Sequence, residues 1–402
     1  MAYDVWGVRG LYTSLSDGWT YLNAHDHPQV PEKVASAVAR SFRTAALVSP
    51  PEPAGSHFKQ EPGAPEGDAY IKAAKIAVAD LAGVMPSQVV LGPSVPALYS
   101  ALVTAMRPML RRQSSIVLNP LDRPELNAQL ERMSDDVRWV QADLATGDVP
   151  AWQYGEIADG STRLVAAPAA HGELGNVLAV ADIAEAVRGV SRAWLLIDAS
   201  PLTPYRPINL EDMGADIVAL DIAQLGGPQV AALIFRDEAM FGRLDASALE
   251  LDVAPGLAGG VPAAVDHYAS FVPPPPGRAS RSRKFAHAMA ETAGYLDRMR
   301  DDLHFYLGTL PAVHIVGVTG EAAADAKVER IPRLAFGVMG VPAEVVQQRL
   351  VANGIVAKQT RPTPLLDEMG VTEMGGAVTV ALAPFNTQHD IEQLVRAVAS
   401  LA

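Results

Sequence analysis

Seven short runs of uninterrupted apolar character between residues 88 and 235 limit this chain more than any other feature. They read "QVVLG" (88–92), "SIVLN" (115–119), "VRWVQ" (137–141), "RLVAAP" (163–168), "AWLLID" (193–198), "DIVALD" (216–221) and "AALIF" (231–235). A strand with one wet face alternates apolar and polar residues, so a run without alternation is buried on both faces. Helical segments at 68–83, 94–106, 124–133 and 181–190 accompany these runs. The pattern predicts an α/β fold, a mostly parallel seven-stranded sheet between helices.

The flanks read differently. "VPEKVASAVARSF" (30–42) places Val30, Val34, Val38 and Phe42 on one helical face. Residues 46–67 are rich in Pro, Gly and Glu and read as a long surface loop, a candidate for reaching across to a neighbouring subunit. "FVPPPPG" (271–277) is a stiff polyproline break before a long amphipathic helix at 279–308. The tail reads strand (333–339), helix (343–353), strand (355–358), strand (377–383) and a closing helix whose start carries Thr387 and Asp390 in a capping-box arrangement. The expected organisation is an N-terminal segment (1–45) packing with the small domain, a large α/β domain (46–270), and a linker, long helix and small α+β domain (271–402).

Composition removes several classes of function. Acidic residues outnumber basic ones 45 to 32, a net charge of −13, which argues against nucleic-acid binding. "RPMLRR" (107–112) reads as a basic helix end that suits the macrodipole rather than as an RNA patch. With no cysteine there is no disulfide, thiolate metal site or cysteine nucleophile. No apolar run approaches the ~20 residues that span a bilayer, and the start carries no secretory pattern; a cytoplasmic protein is expected. No G-x-G-x-x-G follows a strand and no P-loop occurs, and "GPSVP" (92–96) lacks the second glycine of a nucleophile elbow. "HDH" (25–27) reads as solvated loop histidines, and no metal site is expected.

One segment carries a positive signal. "LLIDASPLTPYRPINLEDMGADIVALDIAQLGGPQVAALIF" (195–235) resembles the core of the class V aminotransferases, the fold-type I pyridoxal-phosphate group that includes cysteine desulfurases. In that family an aspartate ends one buried strand, and a later strand ends in a Ser-x-His-Lys turn followed by a Gly-Pro pair. Asp198 matches the first feature and "DIAQLGGP" (221–228) the second. "YLNAHDHPQVPEKV", "VVLGPSVPALYSAL", "SIVLNPLDRPELNAQL" and "GGAVTVALAPFNT" are similar, in order, to the entry segment, phosphate-cup turn, ring-stacking strand and carboxylate-binding strand of the family.

The resemblance implies a cofactor that works through an imine to a lysine, with its ring nitrogen held by a carboxylate. Position by position, the chemistry is altered. The lysine position is Gln224, whose amide forms no imine and is no base near neutral pH. The histidine before it is Ala223, and the serine is Asp221, a negative charge where relatives donate to phosphate. The stacking histidine aligns with Arg123, the glutamine after the aspartate with Pro201, and the substrate-binding arginine with Thr379. Ser94 remains in a cup interrupted by Pro93 and Pro96, and Gly172 stands where relatives carry an asparagine. The seven lysines are 33, 59, 72, 75, 284, 327 and 358, so no shift of register recovers one within the sheet region.

The resulting expectation is a degenerate, catalytically inactive member of the family. Its vestigial cofactor pocket comprises Ser94, Arg123, His171, Asp198, Asp221 and Gln224, with Thr379 at the vestigial substrate position. No cofactor is expected, and Asp198 reads as a structural hydrogen-bonding group. The role is structural, regulatory or small-molecule binding, in a homodimer or a heterodimer with an active relative. The competing expectation is a working pyridoxal- or pyridoxamine-phosphate enzyme that uses a non-lysine base such as His171.

Overall fold

The computed structural model describes residues 3–48, 63–317 and 329–401. Its large sheet has seven strands: β2 (Val89–Gly92), β3 (Ser115–Leu118), β4 (Asp136–Trp139), β5 (Thr162–Pro168), β6 (Trp194–Asp198), β7 (Ile217–Asp221) and β8 (Ala231–Phe235). They are ordered β2-β8-β7-β6-β5-β3-β4, all parallel except β8, which runs against both its neighbours.

Successive side chains on a strand point to opposite faces, and here both faces are dry. Leu195 and Ile197 of β6, with Val165, Ala167, Val218 and Leu220, enter one core. Trp194 and Leu196, with Leu164, Ala166, Ile217 and Ala219, enter the other. This two-sided burial is why the strands carry no polar alternation. Helices Glu66–Ala82, Val180–Val190 and Val261–Tyr268 supply side chains to the first core, and Val95–Ala105 and Pro124–Leu130 to the second.

The smaller sheet is antiparallel, ordered β12 (Lys358–Gln359), β13 (Val378–Ala381), β10 (Arg333–Val338), β9 (Val313–Ile315). Helices Arg281–Gly308, Ala343–Ala352 and Gln388–Ala399 accompany it. The last begins in a capping box between Thr387 and Asp390, as the spacing predicts. Two short strands, β1 (Thr20–Tyr21) and β11 (Ile355–Val356), pair in parallel and join the N-terminal segment to the tail. The single strand expected at 355–358 is therefore divided, because the chain changes partners at Ala357.

The helix expected at 30–42 spans Glu32–Thr44, but its inward face is Val34, Ala37 and Ser41. Val30 and Phe42 are exposed, so the expected stripe is only half right. Val48 bridges Pro65 at the base of the expected long loop, and positions 49–62, including the proposed bridging segment, lie outside the described residues. Among the described residues, no helix is long and apolar enough to cross a membrane.

Candidate functional site

A cleft of about 230 Å³ opens beyond the carboxyl ends of β6 and β7, against the start of β10. In open α/β sheets this end is where ligands bind, because loops there diverge around a rigid edge. Two glycines let the walls approach. Gly226 (φ 70°) closes the turn that carries Gln224, and a Cβ there would lie 2.6 Å from the Gln29 carbonyl oxygen. Gly175 (φ 81°) lies against β10, where a Cβ would come within 2.4 Å of the Arg333 carbonyl oxygen. The loop 171–175 is thereby pinned beside Arg333.

Arg123, His171, Asp221 and Gln224 all line the cleft. Asp198, fully buried at the end of β6, lies behind it. Its Oδ2 accepts from Arg123 Nε (3.2 Å) and Nη2 (2.9 Å), and its Oδ1 accepts from the Ser200 amide (3.0 Å) and hydroxyl (2.6 Å). Beside this pair sits Asp122, buried, with Oδ2 lacking a hydrogen-bond partner among the described residues. Burial, then the Asp198 charge, raise its pKa well above the carboxylate range.

Ser94 is not brought into the cleft lining. It is exposed and caps helix Val95–Ala105 by accepting from the Ala97 amide at 3.3 Å. Thr379 is buried on β13; it exchanges a hydrogen bond with Thr360 (2.9 Å) and donates to the Glu173 carboxylate. Burial raises the Glu173 carboxyl, an effect that the Thr379 bond opposes.

Two histidines differ from their expected character. His25 of the "HDH" run is not solvated: its side chain is only 6% exposed and Nδ1 is buried without a partner, whereas His27 is exposed. Burial, reinforced by the Arg333 charge, pushes His25 down to about 3. His171 is a fixed wall residue, since Nδ1 accepts from the amides of Glu173 (3.1 Å) and Leu174 (3.0 Å). Its neutral ring then carries the proton on Nε2, and burial pushes its pKa down to about 4. A ring so arranged presents its Nε2–H as a donor at neutral pH.

The residue that sequence reasoning missed is Arg333. It is 3% exposed, begins β10 and lines the cleft. Nε donates to the Tyr205 hydroxyl (3.4 Å), Nη1 to the Gly172 carbonyl (3.3 Å) and Nη2 to Gln224 Oε1 (2.9 Å), and the guanidinium lies 5.3 Å from the Tyr205 ring centroid. All its hydrogen-bond partners are neutral, and among the described residues no carboxylate lies within ion-pair distance of it, the nearby Glu173 acting on it only at longer range. Among the described residues, one N–H on each terminal nitrogen is left without an acceptor. Gln224 Nε2 donates in turn to the His25 carbonyl at 3.3 Å, so the glutamine is a bracket between Arg333 and the entry segment. A polar residue opening an otherwise apolar strand was the available signal; nothing in the sequence alone placed it opposite Gln224.

The comparisons with known proteins agree with this geometry. A model of the aminotransferase class-V family matches residues 101–242. An uncharacterized protein of Mycobacterium tuberculosis (strain CDC 1551 / Oshkosh) is 36% identical over 417 residues spanning all of both chains. This chain belongs to the class-V aminotransferase family. The apo structure of a cysteine desulfurase from Thermococcus onnurineus NA1 superposes with a TM-score of 0.82 at 14% identity, covering 100% of this chain and 98% of that one. A lysine-to-alanine variant of a C-DES, with glycine covalently linked to its pyridoxal-phosphate cofactor, superposes at 0.75 with 16% identity, covering 97% and 98%.

That variant corrects one expectation. Absence of a lysine led to the expectation of no cofactor, yet a chain of this fold with a lysine replaced by alanine carries pyridoxal phosphate. Pyridoxal phosphate is the family's cofactor, and loss of a covalent anchor does not abolish the other contacts that hold it. The side chains here are arranged around other partners in the present conformation. Arg123 and Ser200 occupy both oxygens of Asp198, no lysine lines the cleft, and Ser94 is turned to its helix.

Proposed function

We propose that this chain is a small-molecule-binding member of the class-V aminotransferase family that performs no lysine-dependent transamination or desulfuration. Its cleft takes a ligand carboxylate on Arg333. The observation that carries the reading is a guanidinium almost wholly buried with only neutral partners. Removing a charge from water costs several kcal/mol unless an opposite charge meets it, and a planar fork with two unused N–H groups matches a carboxylate.

Gln224 supports the same conclusion from the other side. Its amide oxygen accepts from Arg333, an interaction that a lysine ammonium cannot supply. Gln224 and the buried Arg333 thus depend on each other in this chain. Arg333 pairs across the strands with Ala381, and Ala335 pairs with Thr379. The cation therefore lies one strand over from the position where relatives carry their substrate arginine. We further propose a cytoplasmic homodimer whose interface runs beside the cleft, as two-fold pairing is the commonest oligomeric state.

Calorimetric titration with pyruvate, against its uncharged methyl ester, tests the binding role. Saturable binding of the acid and none of the ester is expected; equal binding of both, or of neither, contradicts it. Sulfide release from L-cysteine, with pyridoxal phosphate supplied, tests the catalytic part. Turnover above the protein-free rate contradicts that part.

A further inference from the structure

The opposite end of the large sheet carries a second feature, unrelated to the cleft. A groove of about 870 Å³ lies near the amino ends of β5 and β6. Arg111, Arg163, Arg188, Arg192 and Arg243 line it, and no acidic residue does. In a chain of net charge −13 this is the reverse of what composition supplies by chance.

The arginines converge from separate elements. Arg111 follows helix Val95–Ala105, Arg163 lies on β5, Arg188 and Arg192 sit at the end of helix Val180–Val190, and Arg243 ends the turn Glu238–Arg243. A helix macrodipole accounts for Arg188 and not for the strand or turn residues. Among the described residues none of the five pairs with a carboxylate, whereas Arg138, Arg206, Arg281 and Arg300 elsewhere each hold two.

Three of the guanidinium groups are held by uncharged partners. Arg163 Nη1 donates to the carbonyls of Gly160 (2.9 Å) and Thr162 (3.0 Å), and Arg188 Nη2 donates to that of Gly214 (2.6 Å). Arg243 lies over the Trp194 ring, 5.1 Å from its centroid. Arg111 and Arg192 are exposed, and their side chains make no hydrogen bond or ion pair with the described residues. Five like charges repel one another, so the arrangement favours a multiply charged anion.

We propose that this groove binds an oligophosphate chain, either free or as the triphosphate of a nucleotide. Guanidinium groups bond phosphate oxygens in pairs, and a triphosphate concentrates its charge on adjacent phosphorus centres. Five carboxylates on successive residues of an extended peptide spread over about 13 Å at ~3.3 Å per residue. A long nucleic acid leaves the groove for acidic surface, while a short chain stays within the ~8–10 Å over which charges act at ordinary salt.

The test is calorimetric titration of the full chain with sodium tripolyphosphate at low and at physiological salt. The expected result is saturable one-to-one binding, weakened by salt, and weakened at least tenfold in an Arg111→Gln/Arg192→Gln double variant. Those two side chains have no partner among the described residues, so the substitutions remove no contact that holds the fold. The Arg333→Met variant should bind triphosphate as the unaltered protein does. ATP binding more tightly than triphosphate identifies a nucleotide as the source, and equal affinity identifies the chain itself. Absence of saturation at millimolar triphosphate and low salt overturns the proposal. So does unchanged affinity in the double variant, or tighter binding of a poly-glutamate peptide or an RNA oligonucleotide.

Discussion

Replacing Arg333 by Met separates a binding role from a structural one, because the two roles give opposite signs. Methionine keeps much of the side-chain length and removes the charge. In the ligand-free protein the change forfeits three hydrogen bonds, to Tyr205, Gly172 and Gln224, each worth ~1–2 kcal/mol. It also relieves the burial of a cation whose hydrogen-bond partners are all neutral, a penalty of several kcal/mol that the nearby Glu173 charge offsets in part. The Gly172 and Gln224 acceptors face the cleft and regain water. These effects nearly cancel, so stability should stay within ~1 kcal/mol of the unaltered protein or rise slightly. At ~2.1 cal/mol/K per residue, unfolding of a chain this size has an entropy of ~0.8 kcal/mol/K, so Tm should move by about 1 °C. Breaking a buried ion pair would instead cost ~3–5 kcal/mol, or about 4–6 °C. Pyruvate binding should meanwhile weaken about 100-fold or more, since two charge-assisted bonds are lost at ~1.5–3 kcal/mol each. Calorimetry on both proteins, with a melting curve for each, reads both numbers. A Tm drop of 5 °C with carboxylate binding intact would refute the reasoning.

Other outcomes follow from the same geometry. Gln224→Lys should not create desulfurase or transaminase activity, and should destabilise the fold by ~1–2 kcal/mol by setting an ammonium beside Arg333; a sulfide assay and a denaturant titration check both. Asp198→Ala leaves Arg123 without its acid and should cost ~3–5 kcal/mol, seen as a lower denaturant midpoint. Burial holds His25 to about 3, and His171, His267 and His304 each to about 4. The unfolded chain therefore takes up protons that the native one refuses once pH falls below ~6.5. The histidine contribution should be full above that pH and fall between pH 6.5 and about 4, at up to ~1.4 kcal/mol per pH unit for each histidine, opposed by the raised Asp122 carboxyl, which favours the folded state as pH falls; His171→Gln should make the fall shallower. Light scattering should give about twice 42.5 kDa, and a monomer at micromolar concentration contradicts the dimer.

Most of the architecture was legible because it rests on local signals. The strands β5 to β8 are buried on both faces, so their sequences advertise themselves, and Thr387 and Asp390 announce a helix start. What stayed hidden depends on partners far along the chain. The two-residue strand β1 has no periodicity and exists because β11, more than 300 residues later, offers it a ladder. His25 looked solvated beside a proline, and is buried because Arg333 and Glu173 close over it. Ser94 fits a phosphate-cup motif in sequence, yet its hydroxyl turns to cap its own helix. Gln224 reads as a lost lysine, and only the fold shows what the glutamine holds.

A crystal structure of the protein soaked with pyruvate tests the central claim most directly. The account predicts the carboxylate within hydrogen-bond distance of the Arg333 terminal nitrogens, with Gln224 still bridging Arg333 and the His25 carbonyl and the Arg123–Asp198 pair intact. Pyruvate bound elsewhere in a fully accessible cleft, or Arg333 turned away to an acidic side chain, would contradict it.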